Sequence, residues 1–355
     1  MNDIKTPPNS NPVQLRRLAR AWSQMELAKR AGISRTAVSA IEGERLSPSV
    51  ATALALAAVF ECSVEELFGS TKTAMVSNPV WAWMPRAETS RYWEAAANGH
   101  LRLYPVEAMT LNPTPHDGVW QNGVLREGGP SIAEKTLVMA CCDPAAGLLA
   151  AEYARESGFR LLVFPRGGRV ALELMRQGLV HVAGLHYSTE DQPGRNAQMV
   201  REQAGSNCNL LRAAKWEAGI ALASGDRSRS ADSVARRRLR WAAREPGSAA
   251  RECLDELMKG RRLVGREVRG HAAVAEAVCS GWAGAGVCVR FSAEEAGLCF
   301  LPVRTEALDL CFQSATQHDP RIQALVRLLR ARAYRRLVSE LPGYDARQTG
   351  EMLAL

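Results

Sequence analysis

The chain lacks the long apolar runs of a membrane protein: none of its 355 residues belongs to an uncharged apolar stretch of about 18. Its polar start, MNDIKTPPNSNP, has no apolar core of the secretion-signal kind, so the expectation is a cytoplasmic protein without a membrane partner. Cysteine is present but unpatterned. The nine cysteines form no C-x-x-C pair and no Cys/His group at zinc spacing, and an odd count implies no disulfide framework. Neither a metal nor a cofactor is predicted. G-x-S-x-G, Walker A and H-E-x-x-H motifs are absent, and G-x-G-x-x-G is missing from the first strand-to-helix turn. No catalytic residues are therefore assigned, and the chain is expected not to be an enzyme.

What is present is an ordinary globular composition, 46% hydrophobic and 23% charged, in a chain long enough for two or three domains. The net charge of +8 invites a nucleic-acid partner. Residues 1–69, however, hold eight Lys or Arg against seven Asp or Glu, so the excess lies downstream. Arg236 to Arg238, Arg240, Arg244, Lys259, Arg261, Arg262 and the run from Arg327 to Arg336 are read as solvated helix faces.

Residues 23–42, SQMELAKRAGISRTAVSAIE, carry the sharpest signal. Ser23 and Glu26 form a capping box that starts a helix at Gln24, and Gly32 stands where the chain must leave it. Ser34 caps a second helix, whose Ala37, Val38 and Ile41 share one face while Arg35, Thr36, Ser39 and Ala40 point outward. Ala28 is small enough for the two helices to cross closely. Upstream, Asn11-Pro12 opens a helix with Leu15, Leu18 and Ala19; downstream, Ser47-Pro48 opens another through Leu54, Leu56 and Val59, and Ser63 caps a last one at Val64 to Phe68. Five helices then share one core.

This stretch, residues 13–69 after a flexible 1–12, resembles the phage-repressor and Cro type of helix-turn-helix regulator, down to Gln24, Ala28, Gly32, Val38, Ile41, Glu42-Gly43 and the closing VEELF. The resemblance implies a double-stranded DNA operator as partner, with the second helix in the major groove. By matched position Arg35, Thr36 and Ser39 or Ala40 read bases. Arg35 has the planar fork for a guanine, and Thr36 offers a methyl or hydroxyl contact. Ser34 and Gln24 sit at helix starts, where Gln24 steadies phosphate and register. A homodimer on a near-palindrome follows for a domain that alone reads a short half-site.

Residues 70–134, with Trp81, Trp83, Tyr92, Trp93, Tyr104 and Trp120, read as a linker followed by short strands or a docking segment, its aromatics filling a packing surface. From residue 135 the pattern is α/β. TLVMACC, RLLVFP, VHVAGLH, GIALAS, LRWAAR, AGVCVR and LCFLPV are apolar runs separated by amphipathic stretches, which predicts parallel sheets buried on both faces. Three strand-to-helix turns, at Cys142–Gly147, Pro165–Arg169 and Arg244–Arg251, aim backbone amides and helix starts at one place, as an anionic or other small effector requires. Cys288, Cys299 and Cys311 read as core, whereas Cys141-Cys142 ends its run just before a helix, a place where a thiol's pKa can be lowered.

With ELPGYDARQTGE near the end, residues 135–355 resemble the periplasmic-binding-protein-like domain that some bacteria fuse to a DNA-binding domain, near cytoplasmic homologues of molybdate-binding proteins. The resemblance implies two α/β lobes joined by crossing strands around a ligand cleft. The family's S-R-G-G and G-S-G-T-R turns read Pro165-Arg166-Gly167-Gly168 and Gly247-Ser248-Ala249-Ala250-Arg251 here, without two of the hydroxyls. The expected ligand residues are Cys142, Asp143, Arg166, Gly167, Gly168, Ser248 and Arg251, with Arg166 and Arg251 supplying positive charge, although Arg251 also has Glu245, Glu252 and Asp255 within reach as structural partners. His186 and His271 stand near the same strand ends and read as structural. The whole is a ligand-sensing transcriptional regulator; alternatives are a thiol or metal sensor using Cys141 and Cys142, and an α/β enzyme carrying a DNA-binding domain.

Overall fold

The computed structural model describes residues 11–43, 45–68, 80–107, 115–353 and 355, in two compact units that divide between residues 76 and 77. The first unit is helical. Asn11 caps α1 (Pro12–Ala19) by accepting from the Val13 amide, so Asn11 and Pro12 belong to this unit and not to a flexible end; residues 1–10 lie outside the described residues. Ser23 caps α2 (Gln24–Ala31), Gly32 takes φ +66°, and Ser34 caps α3 (Arg35–Glu42). Ser49, not Ser47, caps α4 (Val50–Phe60), and α5 (Val64–Phe68) completes five helices.

Val13, Leu27, Ala28, Val38, Ile41, Leu56 and Phe60 form the core. Leu15 and Leu18, expected inside, are exposed, and α1 instead buries Arg17. The reason is Glu42, whose carboxylate takes bonds of 2.6 and 3.0 Å from the Arg17 guanidinium and one of 2.9 Å from the Gln24 amide.

The second unit begins with a small sheet, β1 (Val80–Trp81), β2 (Thr89–Ala97), β3 (His100–Pro105), β4 (Gly118–Gln121) and β5 (Val124–Glu127), ordered β1-β3-β2-β4-β5. Much of the 70–134 stretch, read as a linker followed by short strands or a docking segment, is therefore folded as strands; its residues 70–79 and 108–114 lie outside the described residues. Its aromatics do pack: Trp83 meets Tyr104 and Phe164 edge-on, and Trp93 and Tyr104 are buried.

Beyond it run β6 (Thr136–Ala140), α6 (Ala146–Ser157), β7 (Arg160–Phe164), α7 (Gly168–Arg176), β8 (Val182–Thr189), α8 (Arg195–Ala204), β9 (Cys208–Leu222), α9 (Ala231–Ala235), β10 (Trp241–Arg244), α10 (Ala249–Met258), β11 (Gly265–Val268), α11 (His271–Cys279), β12 (Ala285–Val289), α12 (Arg290–Glu295), β13 (Cys299–Gln313), α13 (Pro320–Arg330), α14 (Arg332–Ser339), β14 (Tyr344–Asp345) and β15 (Met352–Leu353). Strand order is β11-β10-β12-β9-β13-β8-β6-β7, with β14 and β15 on the edge of β9. β7, β6 and β8 pair in parallel in one lobe, and β11, β10 and β12 do so in the other. The expectation of wholly parallel sheets fails at β9 and β13. These two 15-residue strands lie antiparallel to each other, β13 to β8 and β9 to β12, and cross from lobe to lobe. Arg212, Lys215 and Glu217 in one, and Arg304, Glu306 and Asp309 in the other, break the apolar runs by which strands were recognised.

Candidate functional site

On α3 the side chains of Ser34, Arg35 and Thr36 are exposed, and Ser39 and Ala40 are half-buried beside them. Ser34 Oγ accepts from the Ala37 amide and lies 2.9 Å from Thr36 Oγ1, which orders the helix start. Gln24, expected to face phosphate, is half-buried with its amide on Glu42.

In the second unit the parallel strands of both lobes end toward a common junction, the usual crevice of an open α/β sheet. Cys142 follows β6, His186 lies within β8, Arg244 ends β10, His271 starts α11, and Trp216 and Glu306 come from the crossing strands. Cys142 Sγ is 3.0 Å from His186 Nε2, and His186 Nδ1 is 2.7 Å from the Glu306 carboxylate. Trp216 Nε1 donates to that carboxylate over 3.1 Å and Arg304 Nε over 2.8 Å. The His271 ring lies 5.6 Å from that of His186, and the ligating atoms of Cys142, His186 and His271 all fall within 4.8 Å of one another. Arg244 holds Glu245 through two bonds of 2.8 Å. Its Nη1 and both ring nitrogens of His271 are buried without a hydrogen-bond partner among the described residues.

These groups set each other's protonation. Burial alone raises the Cys142 thiol, but the charge and hydrogen bond of His186, with Arg244 behind them, bring it below its ordinary value. Burial pulls His186 down, yet Cys142 and Glu306 together hold it up at about 10. His271 is driven well below its usual value by burial, and the cations Arg244 and His186 add to this. Cys141 differs from its neighbour: it sits in the core of one lobe, and burial pushes its thiol up.

The expected ligand residues divide. Cys142 is at the junction. Asp143 beside it accepts from the Ala145 amide and from Tyr344 Oη, and burial raises its carboxyl despite both bonds. Arg166 turns away, donating to Glu107 over 2.5 and 2.9 Å and lying over the Trp83 ring, so it pins the small sheet. Gly167 and Gly168 permit close approach: a Cβ on the first would stand 3.0 Å from Glu245 Oε1, and on the second 2.7 Å from the Tyr187 ring. Ser248 caps α10, and Arg251, expected to supply charge, pairs with Asp255 one turn on, 2.9 Å away. Arg244, read among solvated faces, is instead 2% exposed at the end of β10, bonded to Glu245 with its Nη1 left over among the described residues. Trp216, Glu306 and Tyr187 went unread; an arginine closing the apolar run LRWA was the one signal available.

The lobes are also latched. Tyr187 Oη donates to Gly247 O over 2.7 Å, and Glu252 on α10 takes Arg195 of α8 at 2.7 Å and Arg169 of α7 at 3.3 Å.

Residues 13–67 match the family described as helix-turn-helix, and residues 150–330, about half the chain, match the PBP superfamily domain. The chain belongs to the PBP superfamily. Uncharacterized protein YvgK of Bacillus subtilis (strain 168) is 26% identical over 198 residues, 53% of this chain and 64% of that protein, so the chain spans less than two thirds of its relative's length. Among solved structures, a putative phosphate ABC transporter substrate-binding protein from Clostridium perfringens with bound phosphate is 8% identical at a TM-score of 0.47, covering 59% of this chain and 99% of that one. PEB3 with bound L-phospholactate is 10% identical at a TM-score of 0.44, covering 59% and 98%. A helix-turn-helix domain thus precedes a PBP superfamily domain. No helix among the described residues is long and apolar enough to cross a membrane.

Proposed function

We propose that this chain is a one-component transcriptional regulator whose operator binding responds to a small anionic molecule held between the lobes of the PBP domain. The observation that carries this reading is the buried junction itself, where Arg244 Nη1 and both nitrogens of His271 lack partners among the described residues. Buried polar groups are ordinarily satisfied, and a ligand oxygen between the lobes supplies what these need. Cys142 and His186 come from one lobe, Arg244 and His271 from the other, so such a ligand touches both and favours the closed form by differential affinity. The regulator acts as a homodimer on a near-palindromic operator with half-sites about 10 base pairs apart or a multiple of this.

The test is a mobility-shift assay of the full chain on its operator against a panel of small oxyanions and carboxylates, with thermal unfolding alongside. A molecule that raises the unfolding temperature of wild type but not of Arg244→Gln, and changes operator occupancy, is expected. A responsive molecule to which Arg244→Gln responds equally overturns the placement.

A further inference from the structure

We propose that Cys142 Sγ, His186 Nε2 and one ring nitrogen of His271 form a three-ligand site for zinc, tying one lobe to the other. The inference rests on the lobe junction being the effector site, and it names an occupant of that site. A thiolate with two imidazoles is a set that zinc takes readily, and three protein ligands leave a fourth position open.

Three observations converge on this. The ligating atoms already lie within 4.8 Å of one another, with Cys142 and His186 at 3.0 Å, and a tetrahedral zinc with bonds of about 2.0–2.3 Å needs them roughly 3.5 Å apart, so the first pair opens slightly and His271 draws in. His186 is set as a metal ligand is: Glu306 takes its Nδ1, which turns Nε2 toward Cys142, and Trp216 and Arg304 fix Glu306 in turn. His271 decides the matter. It is 1% exposed, and neither ring nitrogen has a hydrogen-bond partner among the described residues. The bond between Cys142 and His186 accounts for those two residues but leaves His271 without a partner among the described residues, whereas a metal between all three takes one of its nitrogens and leaves the other to the effector.

The surrounding charge permits a cation. Arg244 and Arg304 are the guanidinium groups at the junction, and Glu245 holds the first through two bonds while Glu306 takes the second. The Arg244 Nη1, without a hydrogen-bond partner among the described residues, favours an anionic fourth ligand, which joins the metal to the effector proposed above. Because β6 and β8 bring Cys142 and His186 while α11 brings His271 from the other lobe, zinc is complete only when the cleft is closed.

The full chain, stripped with a chelator and kept reduced, is titrated with zinc chloride against a chromophoric competitor, and with cobalt chloride as a spectroscopic probe. One metal per chain is expected, with a thiolate-to-cobalt charge-transfer band and the visible bands of a tetrahedral site. Cys142→Ser abolishes the charge-transfer band, Cys141→Ser leaves it unchanged, and His271→Leu and Glu306→Gln each weaken zinc binding about 10–100-fold. His271→Leu also keeps the fold testable: losing a buried, unpartnered imidazole, it melts no lower than the metal-free wild type. No stoichiometric binding, or a cobalt spectrum unaltered in Cys142→Ser or His271→Leu, overturns the site. Zinc bound at these residues with operator binding unmoved by any effector upholds the site and removes the regulatory reading. Operator binding that responds to anions in a protein that takes no zinc does the reverse.

Discussion

Replacing Glu42 with alanine isolates the buried charge that holds the helix-turn-helix together. The Arg17 side chain is 9% exposed and loses its bonds of 2.6 and 3.0 Å, keeping among the described residues that of Nη1 to Trp22 O. Breaking one side of a buried ion pair costs about 3–5 kcal/mol, because the remaining charge stays desolvated. Gln24 loses its partner as well, adding about 1 kcal/mol. A helical unit of this size has a stability of only about 3–5 kcal/mol, so Glu42→Ala should leave it largely unfolded near body temperature. Scanning calorimetry of the full chain reads this as loss of one transition while that of the PBP domain persists. The control is Arg17→Leu with Glu42→Leu, which removes both charges and should stay within about 1.5 kcal/mol of wild type. A cost below 1 kcal/mol for Glu42→Ala, or a double variant as unstable as the single one, refutes the reasoning.

Arg35→Ala should weaken operator binding by about 1–3 kcal/mol and relax preference at one base pair, measured by binding to a library of operator variants; unchanged preference removes Arg35 as a base reader. His181 accepts the Val138 amide at Nδ1 and meets Ala96 O at Nε2, so it is held neutral, and burial with Arg321 nearby lowers it to about 4 from 6.5. The unfolded chain takes up this proton as pH falls below 6.5 and the folded one only near 4, so about 3 kcal/mol present above 6.5 is lost across that window; urea titrations showing the same pH slope in His181→Gln would contradict this. Tyr187→Phe should loosen the lobe latch by about 1 kcal/mol, raising amide exchange of the turn at 244–249 about fivefold, and Glu252→Gln, whose ion pairs are partly solvated, should do less. Exchange unaffected by either change would mean that these contacts do not hold the cleft.

The helix-turn-helix was readable because its determinants are local. Ser23, Gly32 and Ser34 set the ends of two helices through bonds to residues three positions away or through one left-handed φ. The turns after β6, β7 and β10 were readable for the same reason, since small residues and helix starts follow apolar runs. Partner choice was not readable. Arg166 and Arg251 stand in the right turns, but one finds Glu107, 59 positions earlier in the chain, and the other finds Asp255 four positions later, and no spacing rule ranks these partners above a ligand. Arg17 was hidden likewise: at a position where periodicity asks for an apolar residue, a carboxylate 25 positions away makes an arginine the better one to bury.

The crossing strands show why the rest of the site escaped notice. A strand confined to one lobe has apolar layers on both faces and reads as a continuous run. β9 and β13 belong to both lobes, so part of each faces the junction, where an apolar side chain would be wetted each time the cleft opened. Charged and hydrogen-bonding residues are tolerated there if each finds a partner across the sheet, as Glu306 does with His186, Trp216 and Arg304, and Asp309 with Arg212 and Asn196. The residues that interrupt the apolar pattern are thus the ones with partners across the sheet near the junction. Glu306 bonds to Arg304 of its own strand, Trp216 of the neighbouring crossing strand and His186 of β8, and His186 alone reaches the thiol. On the proposed reading, a change in occupancy at Cys142 reaches the crossing strands first, through His186 and Glu306.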